Sequence, residues 1–148
     1  MSLKRFYNIL LIAILVSGCS TSSQQMNNHK YKNLVFSCTP TQLFRCEPNQ
    51  SACMTIPIAQ TFDSVAITVD LSEKKIRSFS NNTLLSELTI ESIQSAKQHI
   101  YLNGKGIGFD DDFRVWSTII NRANKQFYSS SITTEAGYIT YGECHESN

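Results

Sequence analysis

The residue types that could do chemistry in this chain are few and dispersed. Cysteines stand at Cys19, Cys38, Cys46, Cys53 and Cys144, and histidines at His29, His99 and His145. Thiolates and imidazoles make nucleophiles and zinc ligands, but zinc modules space their cysteines as Cys-x2-Cys, which this chain lacks. The histidines are far apart and have no helical metal-binding spacing. Gly104-Lys105-Gly106-Ile107-Gly108 invites comparison with a phosphate loop. It fits neither the Walker pattern nor the dinucleotide fingerprint, and no helix is expected to follow it. Its glycines are expected to permit positive φ in a loop between strands. Asp110-Asp111-Asp112 offers three adjacent carboxylates. Calcium takes about six to eight oxygens, and its loops space acids at alternate positions so that they converge, so a solvated loop is expected. Serine is abundant, but there is no Gly-x-Ser-x-Gly elbow. With no nucleophile, metal set or acid–base pair, the expectation is a non-enzymatic chain with no catalytic residues, no metal and no cofactor.

The start of the chain carries a different message. Lys4 and Arg5 precede a mostly apolar run from Phe6 to Val16, followed by Val16-Ser17-Gly18-Cys19. A basic start, a short apolar stretch and small residues at the cut describe a secretory signal peptide. The apolar run is shorter than the roughly 20 residues a spanning helix needs. Val16-Ser17-Gly18-Cys19 resembles the lipobox of bacterial lipoproteins, with valine where leucine is commonest. The resemblance covers the first nineteen residues and implies removal of residues 1–18 and diacylation of the Cys19 sulfur. Two acyl chains, at about 0.8 kcal/mol per buried methylene, anchor a protein stably where one is marginal. Ser20 follows where the sorting rule of such lipoproteins reads aspartate as retention on the inner membrane, so the resemblance implies a lipid-anchored protein on the outer membrane, facing the periplasm.

Removal of the signal leaves about 130 residues, enough for one domain. Loss of Lys4 and Arg5 from 13 basic residues leaves 11 against 12 acidic, a net charge near −1. A near-neutral domain lacks the positive footprint through which proteins hold phosphate backbones, which argues against nucleic acid as a partner. With Cys19 consumed by lipid, four cysteines remain, and an even number in an exported domain implies disulfides with three possible connectivities. The expected pairing is Cys46–Cys53, across a loop containing Pro48 and Asn49, and Cys38–Cys144, between the first and last apolar strands.

The elements that must position these residues are β-strands. Residues 20–32 are polar and form the expected flexible tether, about 20 Å in reach. From Asn33 to Cys38 the chain is apolar, and Val65, Ile67 and Val69 alternate with Ala66, Thr68 and Asp70. Leu71–Lys74 reads as a turn and Lys75–Ser80 as a strand. Asn81-Asn82 reads as a hairpin turn, because asparagine tolerates positive φ. Strands are expected over Thr83–Ile93, Gln98–Asn103, Phe113–Asn121, Gln126–Thr133 and Tyr138–His145, with one or two helical turns as an alternative within Glu91–Lys97. On Phe113–Asn121, Phe113, Val115 and Ile119 share one face, and Trp116 and Ile120 the other. Short strands at regular spacing predict an all-β antiparallel meander, a small barrel or curved sheet, in one domain from residue 33 to 148.

Three functional classes follow. The first is a membrane-anchored, protein-binding or envelope-assembly module with an envelope protein as partner. Its layout, a lipobox and a small disulfide-linked β domain, is similar to the membrane-bound lysozyme inhibitors, although their Ser-Gly-x-x-Tyr stretch is missing from the mature chain. The second is a small-ligand carrier, for which a cavity of about 300 Å³ or more is expected, and which a core filled by Phe113, Val115 and Trp116 would argue against. The third, an enzyme, requires unpaired cysteines or polar residues converging in a cleft. Tyr101, Trp116, Tyr128, Tyr138 and Tyr141 are candidate binding aromatics, each with the core as the commoner destination.

Overall fold

The computed structural model describes residues 31–58, 65–108 and 111–147. The expected signal peptide, Cys19, the part of the expected tether up to Lys30, His29 and Asp110 lie outside the described residues. Nine strands make up most of the remainder: β1 (Val35–Cys46), β2 (Met54–Ile56), β3 (Val65–Asp70), β4 (Lys75–Ser80), β5 (Thr83–Ala96), β6 (His99–Ile107), β7 (Phe113–Asn121), β8 (Gln126–Ile132) and β9 (Gly137–Ser147). From β3 to β9 each strand pairs antiparallel with the next. β1 lies between β3 and β9, which closes eight strands into an antiparallel barrel. β2 is added to the second half of β1 as a ninth strand. Closure leaves few unpaired backbone edges.

The turns follow from local chemistry. Asn81 and Asn82 adopt φ of 48° and 62°, as a two-residue hairpin with the right-handed strand twist requires. At the β3–β4 turn, the Asp70 carboxylate Oδ1 accepts hydrogen bonds from Ser72 N (3.0 Å), Ser72 Oγ (2.7 Å) and Glu73 N (2.9 Å). Lys74, Lys97 and Lys125 take left-handed φ at three turns on one end of the barrel, the end at which Val35 enters and Ser147 leaves.

Three stretches differ from the sequence expectation. The strand expected over Thr83–Ile93 runs on to Ala96 as β5, so the helical alternative within Glu91–Lys97 is not taken, and a bulge falls between Ile90 and Ser92. The bulge puts Ile90 and Ile93 on the same inner face, both buried, and so gives a strand the three-residue apolar spacing of a helix. β1 continues past Cys38 to Cys46 through a bulge between Pro40 and Gln42, where a missing proline N–H is tolerated. Tyr31, expected in the tether, packs against the core, and its carbonyl accepts from Leu34 N at 3.2 Å.

Gly104 and Gly106 are also not in a loop. Both lie in β6, and no described glycine has positive φ. Gly104 faces Trp116 on β7, and a Cβ there would collide with the indole ring and with the Thr89 carbonyl. The glycine makes room for a large side chain inside a narrow barrel.

The disulfides join Cys38 to Cys144 and Cys46 to Cys53. Cys38 and Cys144 are direct partners across the β1–β9 seam, so this bond staples the place where the sheet closes on itself. Cys46–Cys53 closes the hairpin loop from β1 to β2.

The core fills one half of the barrel. Phe36, Val69, Leu71, Ile76, Ile90, Ile93, Ile100, Leu102, Trp116, Ile120, Phe127 and the Cys38–Cys144 pair form one buried cluster. By strand direction these residues lie toward the end carrying Val35 and Ser147. We call this the lower end. The upper end carries Cys46 and the β4–β5, β6–β7 and β8–β9 connections.

Candidate functional site

Two surfaces in this barrel could do something beyond holding the fold. The first is inside. Above the core plug the barrel is an open cup of about 140 Å³. Its floor includes Val69, Trp116 and Phe127, and its two walls differ in chemistry. The β3–β5 wall is mainly aliphatic, through Val65, Ile67, Ile76 and Leu88, while the β7–β9 wall carries Arg114, Thr118, Ser129, Ser131 and Thr140. Ser129, Ser131 and Thr140 keep partial exposure although they point inward, because the upper interior is not plugged.

Arg114 is a buried cation, 8% exposed, with its guanidinium carbon 5.6 Å from the centre of the Tyr138 ring and against Gly108. Trp116 is 4% exposed, and its indole Nε1 has no hydrogen-bond acceptor. Thr118 and Ser129 share a hydrogen bond of 2.8 Å across β7 and β8.

The second surface is outside, on β6–β8. Period-two alternation on β7 sends Arg114, Trp116, Thr118 and Ile120 inward and leaves Phe113, Val115 and Ile119 in solvent. Phe113 and Val115 are therefore not core residues, as the sequence left open, and Val115 is 58% exposed. The register extends this face sideways. Ile119 lies opposite Tyr101 on β6 and Tyr128 on β8, and Val115 lies opposite Ile132. Tyr101, Ile107, Tyr128 and Ile132 are all exposed, Ile132 at 68%. Tyr128 stacks edge-on with Tyr141 at 5.3 Å, and Tyr141 with Phe44 at 5.9 Å, which carries the aromatic row across β9 to β1. A surface depression of about 240 Å³ adjoins Gln42, Tyr128 and Tyr141.

The face has a defined limit. On β4 and β5 the outer surface is charged: Glu87 binds Lys75 Nζ at 2.7 Å and Arg77 Nε at 2.8 Å, and Arg77 also reaches Glu73. Hydrogen bonds from Lys75 and Arg77 hold the Glu87 carboxyl below the ordinary glutamate range. A lipid-facing barrel carries an apolar band around its whole girth. Here ion pairs occupy the outer surface of β4 and β5, with Leu84 exposed beside them.

No family model, curated protein or solved structure matches the chain. The functional reading therefore rests on these two surfaces and on the start of the sequence.

Asp111 sits at φ 59° in the β6–β7 connection, with its N–H donating to the Gly108 carbonyl at 3.2 Å. Among the described residues no three His, Cys, Asp or Glu side chains come together as a metal site. His99 sits beside Tyr101 on β6, with ring centres 6.1 Å apart. Of the five aromatics singled out in the sequence, only Trp116 is buried, while Tyr138 and Tyr141 are partly covered and Tyr101 and Tyr128 are exposed. Sequence reasoning missed Arg114 as a cup residue. The signal was there, since Arg114 shares its alternation phase with Trp116 and Ile120, but an arginine is rarely assigned inward.

Proposed function

We propose that this protein is a non-enzymatic binding module of the bacterial envelope. It is anchored by lipid on Cys19 to the outer membrane on its periplasmic side and engages an envelope protein through the outer face of β6–β8. The observation that carries the reading is the apolar surface of Tyr101, Ile107, Phe113, Val115, Ile119, Tyr128 and Ile132, all exposed on adjoining strands. Contiguous apolar surface of this kind on a soluble face marks an interaction site. Tyrosines beside a depression are the side chains that anchor interfaces, because they bury a large ring and keep a hydroxyl for the rim.

Anchoring and binding fit together. The strand β1 begins at the lower end, and the β6–β8 face runs along the side of the barrel. A partner can meet that face without competing with the membrane for the lower end.

The test is a cross-linked pull-down from native envelopes with the tagged full-length chain, Cys19 intact. It is run in parallel with Val115→Glu plus Ile132→Glu and with Thr89→Glu on the charged side. One dominant partner captured by wild type and by Thr89→Glu, and lost with the double variant, supports the reading. The same capture from all three removes the outer face from it, and loss of vesicle binding in place of a protein reassigns the face to lipid. Metabolic labelling with palmitate, abolished by Cys19→Ser, tests the anchor separately.

A further inference from the structure

We infer, on the strength of the lipid anchor proposed above, that the lower rim of the barrel is a docking surface for an anionic phospholipid bilayer. The domain stands on that rim, with its cup facing away from the lipid and its β6–β8 face to the side. Charge is the first observation. Each connection at the lower end carries a lysine: Lys32 ahead of β1, Lys74 in the β3–β4 turn, Lys97 between β5 and β6, and Lys125 between β7 and β8. Lys32, Lys97 and Lys125 are exposed, and Lys74 partly so. None of the four has an ion-pair partner among the described residues. The acids nearby are mostly engaged. Asp70 is bonded within its own turn, Glu73 faces Arg77 and Glu146 faces Arg122, which leaves Glu143 against the four lysines.

The backbone supplies the second observation. Lys74, Lys97 and Lys125 take φ of 56°, 54° and 58°. That region crowds a Cβ, and the side chains most often found there are asparagine and aspartate. The other left-handed residues described in this chain, Asn33, Asn81, Asn82 and Asp111, obey that preference. Lysine in all three lower hairpins is therefore not what the turns themselves select, and a requirement for positive charge at this end accounts for it.

The opposite end has the opposite sign. Among the described residues, the upper connections hold Glu47, Asp111, Asp112 and Glu135, and no lysine or arginine. An anionic surface attracts one end of the barrel and repels the other, within a Debye length of about 8–10 Å. Covalent geometry selects the same end. Tyr31 sits at the lysine end, where its carbonyl accepts from Leu34 N. Residues 20–30 join it to Cys19, a span of about 40 Å at most. Acyl chains on Cys19 keep this rim at high effective concentration beside the lipid head groups.

The experiment reads lysine reactivity on the full-length chain, Cys19 intact. Vesicles of phosphatidylcholine alone are compared with vesicles of phosphatidylcholine mixed with phosphatidylglycerol. Each lysine is scored by mass spectrometry after brief acetylation, with Lys105, on the β6 wall and paired with Glu91, as the internal reference. Lys32, Lys74, Lys97 and Lys125 are expected to lose reactivity about fivefold on the anionic vesicles, as for one charge held at the surface. At about 1 M salt, where the Debye length falls to about 3 Å, they regain it. Lys74→Asn, Lys97→Asn and Lys125→Asn together remove the charge and suit the left-handed turns. That variant is expected to melt no lower than wild type and to lose the protection of Lys32. A lower melting temperature means that the lysines serve the turns, and equal labelling on the two vesicles means that the rim meets no lipid charge. Either result overturns the proposal, as does protection of Lys105 with the rest, which lays the side of the barrel on the bilayer. Flotation with phosphatidylcholine vesicles reads the anchor by itself. A chain that stays behind there refutes the anchor, and its rim is still read by protection on the anionic vesicles against that unbound reference.

Discussion

Asp70 shows how much a single side chain can fix in a barrel of short turns. Burial pushes its carboxyl up, but hydrogen bonds from the Glu73 and Ser72 N–H groups and the Ser72 hydroxyl, aided by Arg77, outweigh that and hold it below the ordinary aspartate value. A carboxyl lowered by folding contributes stability in full above its unfolded value, and that contribution disappears as pH falls through the lowered folded value. Asp70→Ala is therefore expected to cost about 1–2 kcal/mol near neutrality and to flatten the acid side of the stability curve, measured by urea unfolding from pH 7 down to pH 3. Gly104 acts through space. Its Cβ would meet both the Thr89 carbonyl and the Trp116 ring, so Gly104→Ala is expected to destabilise by about 1–3 kcal/mol and to shift Trp116 emission. The sequence displayed both residues plainly but revealed their roles unequally. Asp70 ahead of Leu71-Ser72-Glu73-Lys74 is a readable turn signal. Gly104 was read as a loop glycine, because the crowding that demands it comes from a residue twelve positions away.

At the level of the strand, alternation located the elements and left their inner faces ambiguous. β3, with Val65, Ile67 and Val69, could be oriented directly, since only one of its faces is apolar. β7 could not. Both of its faces carry large apolar side chains, and Arg114 and Thr118 sit on the inner one while Ser117 faces out. That arrangement is informative in itself: a strand that leaves Phe113, Val115 and Ile119 in water and points its cation inward departs from what packing alone selects, and both departures fall on the two candidate surfaces. The bulges explain the other misreadings. Glu91 in β5 and Thr41 in β1 are the extra residues that break a period-two pattern into something resembling a helix or a loop. The strand-scale prediction is a contrast within β7. Val115→Glu is expected to change stability by less than about 0.5 kcal/mol, whereas Ile120→Ala, fully inside, should cost about 2–5 kcal/mol. Thermal unfolding of the two variants decides the matter, and equal losses would mean that the outer face is not free surface.

The whole molecule is organised around a seam and an axis. The seam is β1 against β9, where the first and last strands meet, and Cys38–Cys144 crosses it with a sequence separation of 106. Chain-entropy arguments assign about 5 kcal/mol to closing so long a loop and about 2–3 kcal/mol to one as short as Cys46–Cys53, as upper values. Replacing Cys38 and Cys144 together by alanine is thus expected to lower the melting temperature more than replacing Cys46 and Cys53, as read by calorimetry. The axis runs from the plugged lower end, with Val35, Ser147 and the turn lysines, to the open upper end. Sequence could indicate that the strands form a meander, but not that the meander closes, because closure depends on Val35 lying opposite Ser147, a register set by neither segment alone.

The position of the staple has a mechanical consequence. Val35 and Ser147 are paired partners at the same edge, so a pull that separates the two ends of the chain opens the seam like a zipper, one rung at a time. Only the rungs from Val35 to Cys38 lie on the exposed side of the Cys38–Cys144 bond. Once they part, tension passes through sulfur from one strand to the other, and the remainder of the barrel carries no load. A domain hung from a membrane by one end and gripped by a partner on its side would fray by a few residues under strain and keep its shape, for as long as its surroundings stay oxidising.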